Sequence, residues 1–298
     1  MSVSIITSCK DRVKPLTISL SSWIQFDEVD EVIITDWNSQ DPIDHLTRLS
    51  KKVKVIRVNN EPYFNQPQPL NLASSLVKNE AILKLDCDYI LNPYFNFFDS
   101  YKITDDSFIF GYKVEEPGMD LYFLSPLRGL LYVKSDIFKL VGGYNENMGK
   151  YYSVEDDELC VRLMSYGLKP ISIDTQKFTS LHIPHTDKDR LKNFESFTSI
   201  KDVLTKNKKD LKEKQLYSYM IKLSKNKNFD SYPGAFKMVD MYNEFSKLNI
   251  SSLESLQSFT TSQKSFINAL NDIDYFSEPL YKWEVTQLTD QTYEAVKI

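Results

Sequence analysis

Two acids two residues apart, Asp86 and Asp88 in K-L-D-C-D-Y-I-L, stand where an apolar run stops. Carboxylates this close repel one another unless a cation or hydrogen-bond donors compensate, and a bound divalent ion is the simplest compensation. Hard ions such as Mg2+ or Mn2+ prefer oxygen ligands. Asp-x-Asp also arises in solvated turns, so its place in the fold has to discriminate. A denser acidic group, E-D-D-E at 155–158, begins a helical pattern. Acids in a first helical turn interact favourably with the helix dipole, which is a structural reading. The chemical reading is a general base: a carboxylate fixed at a helix N-terminus can take a proton from a sugar hydroxyl as that oxygen attacks an electrophilic carbon. Gly142, Gly143 and Gly149 permit a flexible loop before it, and Tyr151 and Tyr152 offer flat faces for a sugar ring. Two of the three histidines, His182 and His185, lie in H-I-P-H, where Pro184 excludes a regular helix. They are either surface histidines or, since neutral imidazole binds Mn2+, ligands that complete a site begun by Asp88.

The elements that must position these groups follow from periodicity. V-S-I-I-T (3–7), E-V-I-I-T-D (31–36), V-K-V-I-R-V (53–58) and A-I-L-K-L-D (81–86) read as strands. Between them, residues 15–25, 43–50 and 69–77 carry helical spacings. Strand and helix alternating at this pitch means βαβ units and a mostly parallel sheet. Further strands are expected at 107–112, 129–133 and 171–173, a short helix over 136–141 capped by Ser135 and closed by Gly142-Gly143, and a helix with Leu159, Leu163 and Tyr166 on one face. In such sheets ligands bind beyond the carboxyl ends of the strands, which places Asp86 and Asp88 at the ligand edge. If the extended backbone continues, both carboxylates share one side and Cys87 points to the other.

The chain has 298 residues and a net charge of −5, which does not suggest nucleic acid as a partner. No window approaches a membrane span, and the N-terminus lacks a secretory signal, so a cytoplasmic protein is expected. Three widely spaced cysteines, Cys9, Cys87 and Cys160, fit reduced thiols rather than a zinc site. From residue 196 onwards lysines crowd 201–227 and helical spacings dominate, with a break at Tyr232-Pro233-Gly234. The expected organisation is a domain over 1–195 and a helical extension over 196–298. That extension reads either as a cap or dimer contact, or as a lysine-rich face resting on anionic lipid at the inner face of the membrane.

Six segments, taken in order, resemble glycosyltransferases of the GT-A fold. The likeness is to bacterial family-2 enzymes with the C-terminal pattern of β-1,4-galactosyltransferases and chondroitin-type polymerases. S-I-I-T-S-C-K-D-R is similar to the first strand and its basic nucleotide loop, I-T-D-W-N-S-Q-D-P to the V-D-D-G-S-x-D element, and F-N-Q-P-Q-P-L-N-L-A to the F-N-R-A-x-x-L-N segment. L-D-C-D matches the D-x-D, G-G-Y-N-E with V-E-D-D-E-L matches the G-G-F/Y…E-D-D element, and H-T-D-K-D-R-L-K-N resembles the metal histidine and its tail.

The resemblance implies an α/β GT-A fold, Rossmann-like with a mostly parallel central sheet. It implies metal-dependent, inverting transfer of a hexose or N-acetylhexosamine from a UDP-sugar to a hydroxyl of a glycan or lipid-linked saccharide. By position, Asp88 and His185 would bind Mn2+ (or Mg2+), with His182 a third ligand and Asp86 near the metal and ribose. Asp156 would be the base, with Glu155 and Asp157 positioning the acceptor or donor sugar. Thr7, Arg12, Asp36, Phe64 and Asn65 would cradle the uridine and diphosphate. This sequence departs from the pattern at Trp37, which replaces an acid, at Gln66, where relatives carry arginine, and at Tyr151-Tyr152, which replace a tryptophan-bearing acceptor loop. The rival from another class is a non-catalytic nucleotide-sugar-binding or scaffold subunit on the same fold, which would need the D-x-D but not E-D-D. The glycine-rich phosphate loop of a nucleotidylyltransferase is missing from residues 5–15, which disfavours that enzyme class.

Overall fold

β-Branched residues fill the first strands, and the turns between them carry the polar residues. In chain order the elements are β1 (Val3–Cys9), α1 (Val13–Trp23), β2 (Val29–Trp37), a 3-10 helix (Asp44–Leu49), β3 (Val53–Val58), α2 (Pro67–Ser75) and β4 (Ala81–Lys84). Then follow β5 (Tyr89–Ile90), α3 (Phe97–Ser100), β6 (Ser107–Phe110), β7 (Leu131–Lys134), α4 (Ser135–Leu140), α5 (Glu155–Ser165), β8 (Lys169–Ser172), β9 (Leu181–His182), β10 (Trp283–Gln287) and β11 (Thr292–Lys297). This computed structural model describes residues 1–111, 129–146, 155–166, 168–173, 181–182, 193 and 282–298, with residues 157–158, 161, 164–165, 172 and 181–182 described by backbone alone.

Among the described residues the strands form a nine-stranded sheet in the order β10-β11-β3-β2-β1-β4-β7-β6-β8, and β5 pairs with β9 in a separate ribbon. β11, β3, β2, β1 and β4 run parallel to one another, as do β6 and β8, while β10–β11, β4–β7 and β7–β6 are antiparallel. Alternation along each strand feeds two cores. Ile6, Ile33, Ile56 and Ile82 face one side, with α2, α4 and α5 packed over them. Val3, Ile5, Val32, Ile34, Val55 and Leu83 face the other, beneath Leu16, Leu20 and Trp23 of α1 and Phe97 and Phe98 of α3. Both faces of the parallel strands are thus covered, as a parallel sheet requires.

Two expectations are corrected here. The helical extension does not hold at its end: residues 283–297 form the hairpin β10–β11, and β11 adds in parallel to β3. The physical reason is the period-two pattern of W-E-V-T-Q and T-Y-E-A-V-K, which presents Tyr293 and Ala295 to the core. Trp283 meets Trp37 edge-on at 5.5 Å. The second concerns 81–86, where the strand stops at Lys84 and the chain turns, with the Tyr89 amide donating to the Asp86 carbonyl at 3.1 Å. The lysine-rich segment 201–227 and the break at 232–234 lie outside the described residues. Among the described residues no helix is long and apolar enough to cross a membrane.

Candidate active site

The carboxyl ends of β1, β2, β3 and β4 share one edge, because these strands are parallel neighbours. Just beyond the first three sit Asp11, Asn38 and Asn60 with φ of 55, 53 and 63°. Aspartate and asparagine are the non-glycine residues that tolerate this left-handed backbone, so all three chains turn sharply at the edge. The Lys10 ammonium then locks two of the turns together by donating to the carbonyls of Trp37 (3.1 Å), Asn38 (3.3 Å) and Glu61 (3.0 Å). Burial pushes its pKa below the ordinary lysine value. Asn193, the last residue of the H-T-D-K-D-R-L-K-N tail, joins this edge as well. Its side chain donates to the Lys10 carbonyl at 3.1 Å, and its carbonyl accepts the Phe64 amide at 2.7 Å.

The expected nucleotide residues all lie at this edge, in different states. Asp36 is fully buried and organises the 36–43 loop, accepting from the amides of Ser39 (3.1 Å) and Ile43 (3.3 Å) and from Arg57 (2.6 Å). Thr7 is buried, and its hydroxyl has no hydrogen-bond partner among the described residues. Phe64 packs half-buried against the core, and Asn65 accepts the Gln68 amide at 3.2 Å at the start of α2. Arg12 reaches across to Asp88, its guanidinium 2.7 Å from the carboxylate.

Asp88 owes its place to α1. The indole N–H of the buried Trp23 donates to the Tyr89 carbonyl at 2.7 Å, and Ser22 accepts the Leu91 amide at 3.0 Å, so the chain just after Asp88 is pinned to the helix. A buried indole N–H left unpaired costs about 1–3 kcal/mol, which makes this anchor specific. Asp88 is buried, whereas Asp86 keeps a third of its side chain exposed (31%) and accepts from Lys84 at 2.9 Å and Gln66 at 3.4 Å. Burial and the charges of Asp156 and Asp88 push the Asp86 carboxyl above the usual range in spite of Lys84. On the other side of the turn, Tyr89 pairs with His182, so the H-I-P-H segment begins beside the D-x-D. His185, Tyr151 and Tyr152 lie outside the described residues. Among the described residues no three His, Cys, Asp or Glu side chains are arranged to hold a metal ion.

Asp156 stands in the first turn of α5 and meets β4 through Lys84. The wholly buried ammonium lies 3.2 and 3.3 Å from the two Asp156 oxygens, and the Tyr144 hydroxyl donates to Oδ1 at 2.9 Å. Burial alone would lower the Lys84 pKa, but Asp156 and Asp86 outweigh it and raise it above the ordinary value. Tyr144 is in turn set by Asn71 of α2. The Asn71 side chain accepts the Tyr144 amide at 2.7 Å and donates to the Tyr144 carbonyl at 2.8 Å and to Glu146 at 3.0 Å. Gly143 (φ +65°) admits this clamp, since a Cβ there would fall 2.5 Å from Asn71 Oδ1. Glu155 is buried next to Asp156. Burial first, then the charge of Asp156, pushes its carboxyl up to about 8.

Asp86, Asp88, Glu155 and Asp156, expected at separate motifs, therefore share one locality. Lys84, Tyr144, Asn71, Lys10 and Asn193 were not anticipated. Lys84 had a signal: strand alternation places residues 82, 84 and 86 on one face, so a lysine inside an apolar strand had to meet the same surroundings as Asp86. Asn71 and Tyr144 sit inside quoted motifs, but their pairing joins residues 73 apart and has no local signature.

No family model matches the sequence, and no curated protein matches it. Among solved structures the chain is similar to S. aureus TarS 1-349 in complex with UDP-GlcNAc, with 18% identity and a TM-score of 0.50 over 91% of this chain and 80% of that one. It is also similar to the mannosyltransferase PcManGT from Pyrobaculum calidifontis in complex with GDP-Man and Mn2+, with 14% identity and a TM-score of 0.51 over 91% of this chain and 86% of that one. At these identities the likeness speaks to architecture: the chain has the mixed α/β, mostly parallel GT-A-like fold of glycosyltransferases.

Proposed function

We propose that this chain is a metal-dependent, inverting glycosyltransferase that moves a hexose or N-acetylhexosamine from a UDP-sugar to a saccharide hydroxyl, with Asp156 as the base. The observation that carries this reading is the meeting of Asp156, from the start of α5, with Asp86, from the end of β4, around Lys84. That meeting lies at the sheet edge where α/β folds bind ligands.

The roles follow from the geometry. Asp156 Oδ1 accepts from both Tyr144 and Lys84, whereas among the described residues Oδ2 accepts only from Lys84 at 3.3 Å. Oδ2 is therefore the oxygen with a lone pair to take the acceptor proton while the acceptor attacks the anomeric carbon from the face opposite UDP. Glu155, buried and with its carboxyl pushed up to about 8, is not the base and supports the position of Asp156 beside the sugars. Asp157 and the pair Tyr151-Tyr152 belong to acceptor binding. Thr7, Phe64 and Asn65 line the nucleoside side, with Asp36 acting through its loop, and Arg12 serves the diphosphate. The donor set suits a hard divalent ion: a buried carboxylate, Asp88, already compensated by a cation, with the one-third-exposed carboxylate of Asp86 two residues away and His182 opposite Tyr89. His185 is three residues beyond His182, a span of at most about 11 Å. A Mn2+ or Mg2+ ion held by Asp88 and these histidines would neutralise charge on the departing UDP.

The test is UDP release from a panel of UDP-hexoses and UDP-N-acetylhexosamines with Mn2+. Asp156→Asn should lower transfer by about 10²–10⁴-fold with UDP binding retained, and near-normal transfer by the folded variant removes Asp156 as the base. Asp88→Ala should abolish Mn-dependent UDP binding, and unchanged affinity removes Asp88 from the metal site.

A further inference from the structure

We propose that Lys84 is a positioning residue whose buried ammonium ties the base Asp156 to Asp86, so that the acceptor side and the donor side of the reaction are registered through one cation. This rests on the assignment of Asp156 as base.

The placement is costly without such a role. The Lys84 side chain is completely shielded from solvent. Burying an ammonium carries a large desolvation penalty, and apolar residues in place of the whole Lys84, Asp86 and Asp156 cluster could fill the space about as stably. What an apolar chain could not do is hold two carboxylates from different elements. The ammonium has three protons to give. It lies 2.9 Å from Asp86 Oδ1, and 3.2 and 3.3 Å from Asp156 Oδ1 and Oδ2, so its donors are taken up between the two acids.

The fourth side is Gly129, with φ +89°. A Cβ there would lie 3.0 Å from Lys84 Nζ, 3.0 Å from Asp86 Oδ2 and 3.0 Å from Asp156 Oδ2. Those three contacts show that the cation and both carboxylates converge on one point, where a side chain would have to push them apart by a few tenths of an ångström. Tyr144 holds Asp156 as well, but among the described residues Lys84 is the side chain that touches both acids. In the proposed reaction Asp86 belongs to the donor side and Asp156 to the acceptor side. Without the ammonium the two like charges would separate and carry the base out of line, and misplacement by about 1 Å costs on the order of 10² in rate.

The experiment is a double-mutant cycle of Lys84→Met and Asp156→Asn. It is read as kcat and donor KM for UDP release in the presence of Mn2+, as Kd for UDP with Mn2+ by calorimetry, and as thermal melts. Lys84→Met should lower kcat about 100-fold and leave Kd for UDP within about threefold, the split expected of an interaction that matters in the transition state. In the Asp156→Asn background the same change should cost almost nothing further, since both changes disable one device. An undiminished second loss in that background means Lys84 acts apart from Asp156 and overturns the proposal. Loss of UDP affinity with kcat intact overturns it too, because Lys84 then serves the donor alone. The Asp156→Asn arm by itself reports on the base assignment, so failure of that reading is seen separately. Lys84→Gln, which keeps a hydrogen-bond donor but no charge, is carried alongside. If neither variant melts cooperatively, the ammonium is a folding element and the positioning role falls.

Discussion

Glu155 offers the most direct physical test of the site's electrostatics, because its effect is on stability and needs no substrate. The side chain is 5% exposed, and burial, followed by the charges of Asp156 and Asp86, moves its carboxyl from 4.5 to about 8. Below 4.5 both folded and unfolded chains hold the proton, so the group contributes nothing to pH dependence. Between the two values the folded chain keeps a proton that the unfolded chain has released, and rising pH therefore favours unfolding. The loss approaches about 1.4 kcal/mol per pH unit inside the window and levels off above its upper end. Integrated from pH 5.5 to 7.5, it amounts to about 2.5 kcal/mol. Glu155→Gln has the shape of the protonated acid and no proton to lose. Urea unfolding of both proteins at these pH values, free of metal and nucleotide, should give the variant an advantage of about 1.4 kcal/mol at the lower and about 3.9 kcal/mol at the higher, so that its lead grows by about 2.5 kcal/mol across the window. A difference that stays constant with pH would refute the claim that the fold holds Glu155 protonated at neutrality.

Gly129→Ala should destabilise the chain by about 1–3 kcal/mol from its backbone alone and push apart Lys84, Asp86 and Asp156, so that transfer falls with the melting temperature. Unchanged melting and kcat would show that the three groups do not meet there. At the opposite end of the sheet, burial works to raise the Glu31 pKa, but bonds from Lys54, Ser4 and the Lys78 amide hold it below its usual value. Its stabilisation is therefore present above about pH 4.5 and lost as pH falls through the lower folded value. Glu31→Gln should cost about 3 kcal/mol at neutral pH, the low end for a broken buried pair because Lys54 keeps some contact with water, and the deficit should shrink in acid, as urea midpoints would report.

What the sequence made legible follows the range of the interactions. β1, β2 and β3 were visible because runs such as V-K-V-I-R-V carry their own period, and β3 spans those six residues. α5 was visible through Leu159 and Leu163, both buried. β5 and β9, two residues each, are too short for any period and exist because Trp23 and Ser22 pin the chain after Asp88. β11 alternates clearly, yet its partner β3 lies more than 230 residues earlier, and the lysine-rich composition before it pointed to helix. At the site, the acids were legible because carboxylates in apolar surroundings stand out. Their common counterion was not, although Lys84 closes β4 only two residues before Asp86.

The cations at the ligand edge also explain how the site can be rigid and still exchange partners. Lys10 is committed to three backbone carbonyls and Arg57 to Asp36, so these two charges hold loops in place and are not available to a phosphate. Lys84 is committed to the acids. Arg12 and Asp88 differ in that each has a ligand of its own in the proposed reaction, a diphosphate for the guanidinium and a divalent cation for the carboxylate. A buried carboxylate stripped of its counterion costs several kcal/mol, so neither partner can be released alone cheaply. A diphosphate and a cation arriving together would take one partner each, and no charge would be left buried and unpaired. In the proposed reading, nucleotide and metal binding are therefore coupled through this one ion pair, while the turns that shape the nucleotide edge are already set by the fold.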